Sequence, residues 1–240
     1  MDHALSCAKK ILEKAHSPVC FSGAGLSAES GISTFRDTET HALWGRFNPT
    51  ELASPEGFAA HPKRVLDWYA WRRQCVIKAT PNQAHISLAK RSDIQQITQN
   101  VDDLLERAGC KNVTHLHGTL THDRCHNGCG YRSESPMDNP LSDLQLCPNC
   151  GGQMRPDVVW FGEMLPTLAW EQAYSLCNQS DCLLVIGTSA NVYPAASLIE
   201  LTASQGKAVI IINTHPNQAS HLAEIELIGP CGELLPQLLD

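Results

Sequence analysis

Short apolar runs alternating with amphipathic stretches are what most limits the folds open to this chain. Val19 to Phe21, Ile94 to Thr98, Val113 to Leu116, Val158 to Phe161, Leu183 to Ile186 and Ala208 to Ile212 suit strands buried on both faces. Helical patterns separate several of them, over 83–91, 101–108 and 193–205. Residues 2–16 place Leu5, Ala8, Ile11, Leu12 and Ala15 at the spacing of a surface helix. Strands alternating with helices predict an α/β protein: a Rossmann-like parallel sheet with helices on both faces. Residues 37–82 carry helices and loops but no strand, and 119–152 carry cysteines and turn residues. The expected organisation is a wound core from 1–36, 83–118 and 153–240. A helical insert at 37–82 and a smaller metal-binding insert at 119–152 interrupt it.

Eleven cysteines, an odd number in a chain whose first residues show no leader pattern, point to reduced thiols rather than a disulfide framework. Four of them cluster as Cys125-x3-Cys129 and Cys147-x2-Cys150, with 17 residues between the pairs. That spacing is close to a zinc ribbon, whose cysteine turns present thiolates to one tetrahedral ion. His122 and His126 lie close enough to compete as ligands. Four protein ligands leave no open position, so the expected zinc is structural. The remaining cysteines read as small core residues. Eighteen Lys and Arg against 25 Asp and Glu give a formal charge of −7, which argues against nucleic acid as a specific partner. Aliphatic runs such as Val209 to Ile212 are too short to cross a bilayer, so a cytoplasmic location without a membrane partner is expected.

Gly23-Ala24-Gly25-Leu26-Ser27-Ala28 fits the dinucleotide-binding turn between a strand and a helix. In that turn the first glycine bends the chain and the second lets backbone amides approach a pyrophosphate. The acidic residue that should close a second strand about 20 residues later is missing, which disfavours an ordinary hydride-transferring dehydrogenase. The longer run Gly23 to Arg36 resembles the opening motif of the sirtuins, NAD-dependent protein lysine deacylases. Thr98-Gln99-Asn100-Val101-Asp102, His115-Leu116-His117-Gly118 and the two cysteine pairs follow in the family's order. Val159 to Glu163, Gly187-Thr188-Ser189 and Ile212-Asn213 complete the ordered set, and the resemblance runs from about residue 10 to 237.

The resemblance implies that NAD is cleaved at its nicotinamide–ribose bond while the acyl oxygen of a modified lysine attacks the anomeric carbon. His117 would be the catalytic base, since imidazole can accept a proton from a ribose hydroxyl near neutrality. His115 is expected to be structural. Asn100 and Asp102, with Gln99 beside them, match positions that hold the nicotinamide carboxamide, the ribose and nearby water. The same two residues would also suit the N-cap of a helix at 101–108. Gly23, Ala24, Gly25, Ser27 and Glu29 would line the cofactor turn, and Phe35 and Arg36 would belong to the family's mobile loop over NAD. Gly187, Thr188 and Ser189 would reach NAD at the carboxyl edge of the sheet. Asn213 would meet the adenine ribose, and the Cys231 backbone would approach adenine. Val159, Trp160, Phe161 and Gly162 resemble the segment that pairs with the substrate backbone.

Tyr69 and Arg72 are three residues apart, so on a helix they share one face. They coincide with the Tyr-x-x-Arg pair of the class III sirtuins, which remove succinyl, malonyl and glutaryl groups. A phenol beside a guanidinium suits a carboxylate at the acyl terminus, although Asp37 and Glu39 nearby oppose an anionic tail. Arg73 is expected to face solvent. Alternative readings are an NAD glycohydrolase or ADP-ribosyltransferase, a mainly deacetylating enzyme, or a non-catalytic zinc-ribbon module with a nucleotide-sensing domain.

Overall fold

Strand β7 (Cys182–Ile186), in the middle of the main sheet, is buried at every position. Its even-numbered residues Cys182, Leu184 and Ile186 join one apolar core, and Leu183 and Val185 join another on the opposite face. This is the two-sided burial expected of a parallel sheet covered by helices. The computed structural model describes residues 2–33, 48–138 and 143–240.

In chain order, the first half holds α1 (Asp2–Lys14), β1 (Pro18–Ser22), α2 (Gly25–Ala28), α3 (Pro49–Leu52), α4 (Pro55–Ala60) and α5 (Pro62–Lys78). It continues with α6 (Gln83–Lys90), β2 (Gln95–Thr98), α7 (Leu104–Ala108), β3 (Thr114–His115) and β4 (Gly118–Cys125). After β5 (Arg132–Glu134), β6 (Met154–Val158) and α8 (Thr167–Gln179), β7 leads through α9 (Ser197–Ser204) to β8 (Ala208–Asn213). The chain closes with β9 (Ile225–Ile228) and α10 (Cys231–Leu239).

Six parallel strands form the main sheet in the order β3-β2-β1-β7-β8-β9. Renumbered within the sheet this is the doubly wound order 3-2-1-4-5-6. Ala8, Leu12, Leu88, Leu234 and Leu238, from α1, α6 and α10, pack on one face, and Ala173, Cys177, Leu198 and Ile199, from α8 and α9, pack on the other. The winding direction reverses between β1 and β7, and the turns that follow these two strands face the same crevice.

Residues 49–78 and 118–158 build a separate layer. β4, flanked by β5 and β6, forms a three-stranded antiparallel sheet, and α3 to α5 pack against it through a third core that includes Leu66, Tyr69, Leu120, Val158 and Trp160. Arg73 joins the helix to the sheet. It is fully buried rather than exposed to solvent, pairs with Asp123 at 2.8 Å, and donates from Nε to the Leu120 carbonyl at 2.8 Å. Position 73 lies on the face of α5 turned to β4, so the guanidinium takes backbone carbonyls and a buried carboxylate there in place of water.

Other segments also depart from the sequence reading. The run at 158–161 is not a strand of the main sheet; only Val158 belongs to a strand, the end of antiparallel β6. Residues 118–125 form an eight-residue strand rather than turns. The helices expected at 101–108 and 193–205 start later, at Leu104 and Ser197. Among the described residues no helix is long and apolar enough to cross a membrane.

Candidate active site

The β1 and β7 turns touch. A Cβ on Gly25 would lie 2.6 Å from the Gly187 Cα, and Gly187 holds φ +59°. Only glycine allows both the close approach and the left-handed backbone. Gly25 N–H donates to the Gly187 carbonyl at 2.8 Å, and Gly23 N–H donates to Ile186 O at 2.9 Å. Leu26 and Ser27 amides turn back to Gly23 and Ala24. The expectation that this turn's amides cradle a pyrophosphate therefore narrows to Ala24, because its neighbours are already bonded within the protein.

A cavity of about 1110 Å³ opens above these turns. Gly23, Ala24, Gly25, Ser27, Glu29, Gln99, Asn100, Asp102 and His117 line it together with Tyr69 and Arg72. Val159 to Gly162, Gly187 to Ser189, Asn213 and Cys231 complete the wall, so every expected non-metal site residue within the described segments borders one space. Phe35 and Arg36 lie outside the described residues.

His117 leaves the sheet edge just before β4. Its Nδ1–H donates to the Gln99 carbonyl at 3.1 Å, which leaves Nε2 as the acceptor of the neutral ring. Burial pushes its pKa below the ordinary imidazole value, against the opposing pull of the Gln99 hydrogen bond. The ring is therefore neutral and basic at pH 7. His115 bonds two groups within the protein. Burial lowers its pKa, but the Glu106 carboxylate, 2.7 Å from Nε2, and the Asn100 carbonyl, 2.9 Å from Nδ1, outweigh that and raise it.

A buried polar relay supports the cavity floor. Asn100 Nδ2 donates to Ser27 Oγ at 3.1 Å, and Ser27 Oγ donates to Asp102 Oδ2 at 3.0 Å. Burial raises the Asp102 pKa, while bonds from the Leu104 amide and Ser27 oppose the rise. Asp102 therefore both binds the start of α7 and faces the cavity. Gln99 Nε2 donates to Thr188 Oγ1 at 2.9 Å, and Asn213 Nδ2 donates to the Thr188 carbonyl at 3.0 Å, tying the turns after β2, β7 and β8 together. Asn217, which the sequence reading passed over, shares that carbonyl at 2.8 Å and also lines the cavity. Its only sequence signal was its place shortly after Asn213.

Cys231 opens α10 with its thiol 3.2 Å from Glu29 Oε1, and the Gly232 amide donates to the same oxygen at 2.8 Å. Burial first, then the neighbouring Glu29, pushes this thiol up to about 12, so it is inert packing rather than a nucleophile.

Tyr69 and Arg72 share the cavity side of α5. Tyr69 is fully buried, and Arg72 carries its guanidinium 5.1 Å from the Trp68 ring and 5.9 Å from the Tyr69 ring. Burial lowers the Arg72 pKa, with Tyr69 and Asp102 opposing that shift. Trp160 is 2% exposed, so its side chain is core, whereas Phe161 is 48% exposed at the cavity mouth. The backbone N–H groups of Val159 and Phe161 donate to His117 O and Ala53 O, at 2.9 and 2.8 Å.

At the far end of β4, the sulfurs of Cys125, Cys129, Cys147 and Cys150 lie within 4.8 Å of one another. Cys125 and Cys150 are 3.4 Å apart, and Cys129 and Cys147 are 3.5 Å apart. Four thiolates at about 2.3 Å from one zinc stand about 3.8 Å apart, so the donor set fits a tetrahedral ion. Neither histidine competes. His122 bonds Thr121, and the His126 ring sits 5.1 Å from that of Phe58.

A doubly wound sheet with a cavity at its reversal point, walled by paired glycine turns and a half-buried imidazole, defines an α/β nucleotide-site protein. The chain belongs to the Sir2 family, whose profile matches residues 23–194. It is 45% identical over 240 residues to NAD-dependent protein deacylase 1 of Pseudomonas aeruginosa, covering 96% of each chain. It is 42% identical to an NAD-dependent protein deacylase of Pyrococcus furiosus, covering 96% of this chain and 95% of that one. A solved Sir2 homolog–NAD complex superposes with a TM-score of 0.91 at 42% identity, covering 98% of this chain and 92% of that one. A Sir2–p53 peptide–NAD+ structure superposes with a TM-score of 0.81 at 30% identity, covering 95% and 94%.

Proposed function

We infer that this protein is an NAD-dependent protein lysine deacylase. It transfers an acyl group from lysine to the ADP-ribose part of NAD and releases nicotinamide. The observation that carries this reading is His117, held neutral by burial with Nε2 left free of its Gln99 bond beside the glycine turns. NAD is a consumed substrate here. Gly23 to Gly25, Gly187 to Ser189 and Asn213 are the proposed wall for its phosphates and adenosine, and Asn100 and Asp102 for its nicotinamide half. The acyl oxygen displaces nicotinamide at the anomeric carbon, and His117 takes the proton of the ribose hydroxyl that then attacks the acyl carbon. Exposed Phe161 and Gly162 border the acyl-lysine peptide. The four cysteines hold a structural zinc, which shapes the small sheet and takes no part in the chemistry.

Within this reading, Arg72 and Tyr69 favour acyl groups that end in a carboxylate, because both offer donors to an anion. The substrates are acyl-lysine proteins of the cytoplasm.

The test is nicotinamide release from NAD with an acyl peptide. His117→Ala should slow it by about 10²–10⁴-fold, the range of a lost general base. Near-normal release would refute the assignment. Release that does not depend on the peptide would point instead to NAD hydrolysis.

A further inference from the structure

Tyr69 has one proton and an oxygen with two lone pairs. Trp160 Nε1–H donates to that oxygen at 2.8 Å, across the interface between α5 and the segment after β6. An indole N–H can only donate, so one lone pair is committed and the phenol proton must turn away from Trp160. No acceptor for that proton appears among the described residues, although the side chain is 0% exposed and borders the cavity.

The indole is itself held rigidly. Arg155, fully buried, places its guanidinium 3.8 Å from the Trp160 ring centroid and donates to the Val158 carbonyl at 2.9 Å. Glu163 accepts from Arg155, and its other oxygen accepts from the Trp160 backbone N–H at 2.9 Å. Phe58 packs 5.2 Å from the indole ring. A cation on the ring face draws electron density away and makes the N–H a stronger donor. Burial raises the Tyr69 pKa to about 12, against the pull of Arg72 and Trp160, so the phenol keeps its proton at neutral pH.

We propose that Trp160 is a positioning residue for acyl specificity: its indole N–H turns the Tyr69 proton toward an acyl-tail carboxylate beside Arg72. This rests on the acidic-acyl reading above, and it assigns Trp160 a role through Tyr69 rather than through the substrate backbone.

The experiment compares kcat/KM on succinyl-lysine and acetyl-lysine peptides for wild type, Tyr69→Phe, Trp160→Phe and the double variant. The expected result is a succinyl-over-acetyl ratio that falls about tenfold in Tyr69→Phe, the factor that about 1.4 kcal/mol represents. Trp160→Phe should lower the ratio several-fold, and it should lower it no further in the Tyr69→Phe background. A Trp160→Phe effect equal on both peptides, or one that persists undiminished without the phenol, would make Trp160 mere core packing and overturn the proposal. If Tyr69→Phe itself leaves the ratio unchanged, the acidic-acyl reading falls and takes the proposal with it. A second measurement does not depend on turnover. In ¹⁵N-tryptophan spectra of this five-tryptophan chain, the indole resonance absent in Trp160→Phe should move upfield in Tyr69→Phe. An unmoved resonance would also overturn the proposal.

Discussion

Removing the Asp123 carboxylate tests how the small sheet is fastened to the long helix. The Arg73 side chain is 0% exposed and that of Asp123 is 3% exposed, and the two meet at 2.8 Å. In Asp123→Ala the Leu120 and His122 carbonyls still accept from the guanidinium, but its one ion-pair partner among the described residues is gone. A buried charge left without its counter-charge costs about 3–5 kcal/mol. For a chain of this length each kcal/mol is worth about 2–4 °C, so the melting midpoint should fall by about 6–20 °C. The double variant Arg73→Met/Asp123→Leu should recover most of that loss, because neither ion then has to be stripped of water. Lys63→Ala, which breaks an ion pair between side chains 64% and 40% exposed, should leave the midpoint where it was. Circular-dichroism melts at a fixed zinc concentration read all three. If Asp123→Ala melts within about 2 °C of wild type, less than the 1 kcal/mol equivalent, the pair is not the fastening it looks like.

Because burial holds His117 below 6.5, the acid limb of the kcat/KM profile for deacylation should have its midpoint below pH 6.5, and a midpoint above 7 would mean another group titrates. Burial pushes His85 from 6.5 to about 4, so between those values the unfolded chain binds more protons than the folded one. Its contribution is therefore complete above pH 6.5 and lost as the pH falls toward 4, by roughly 3 kcal/mol; His85→Gln should flatten that part of a urea-melt series against pH. Gly187→Ala puts a Cβ 2.6 Å from the Gly25 carbonyl carbon at φ +59°, so calorimetric NAD affinity should weaken, with about 1–3 kcal/mol of added strain; undiminished affinity would contradict the touching-turn account. Metal analysis should find about one zinc per chain in wild type, and Cys147→Ser should lose it together with the cooperative melt.

The wound sheet was legible because β7 and β8 are nearly all aliphatic, the pattern of a two-sided parallel strand, with Gly187 following one and Asn213 closing the other. The site was legible for a related reason. Turns that approach each other closely need glycine, as Gly25 and Gly187 do, and such positions stand out in a string of letters. The small sheet was hidden because its strands break the apolar pattern. β4 contains His122, Asp123 and Arg124, and β6 contains Arg155, yet Asp123 and Arg155 are buried. Buried charges satisfied by partners far along the chain carry no local signal, which is why Arg73 read as a solvent residue. Trp160 shows the converse: its motif marks a backbone that borders the cavity, while nothing in the letters marks its side chain as core.

One strand separates the imidazole from the thiolates. β4 runs eight residues from Gly118 to Cys125, each advancing about 3.3 Å, so the two centres stand on the order of 20 Å apart. At physiological ionic strength a field is screened over about 8 Å, so a cation held by the cysteines reaches His117 only as a faint remnant. Turnover should therefore be indifferent to which thiophilic tetrahedral ion is loaded. Cobalt(II) could take the position as a coloured reporter on the far end of the sheet, watching its geometry during catalysis without altering the rate.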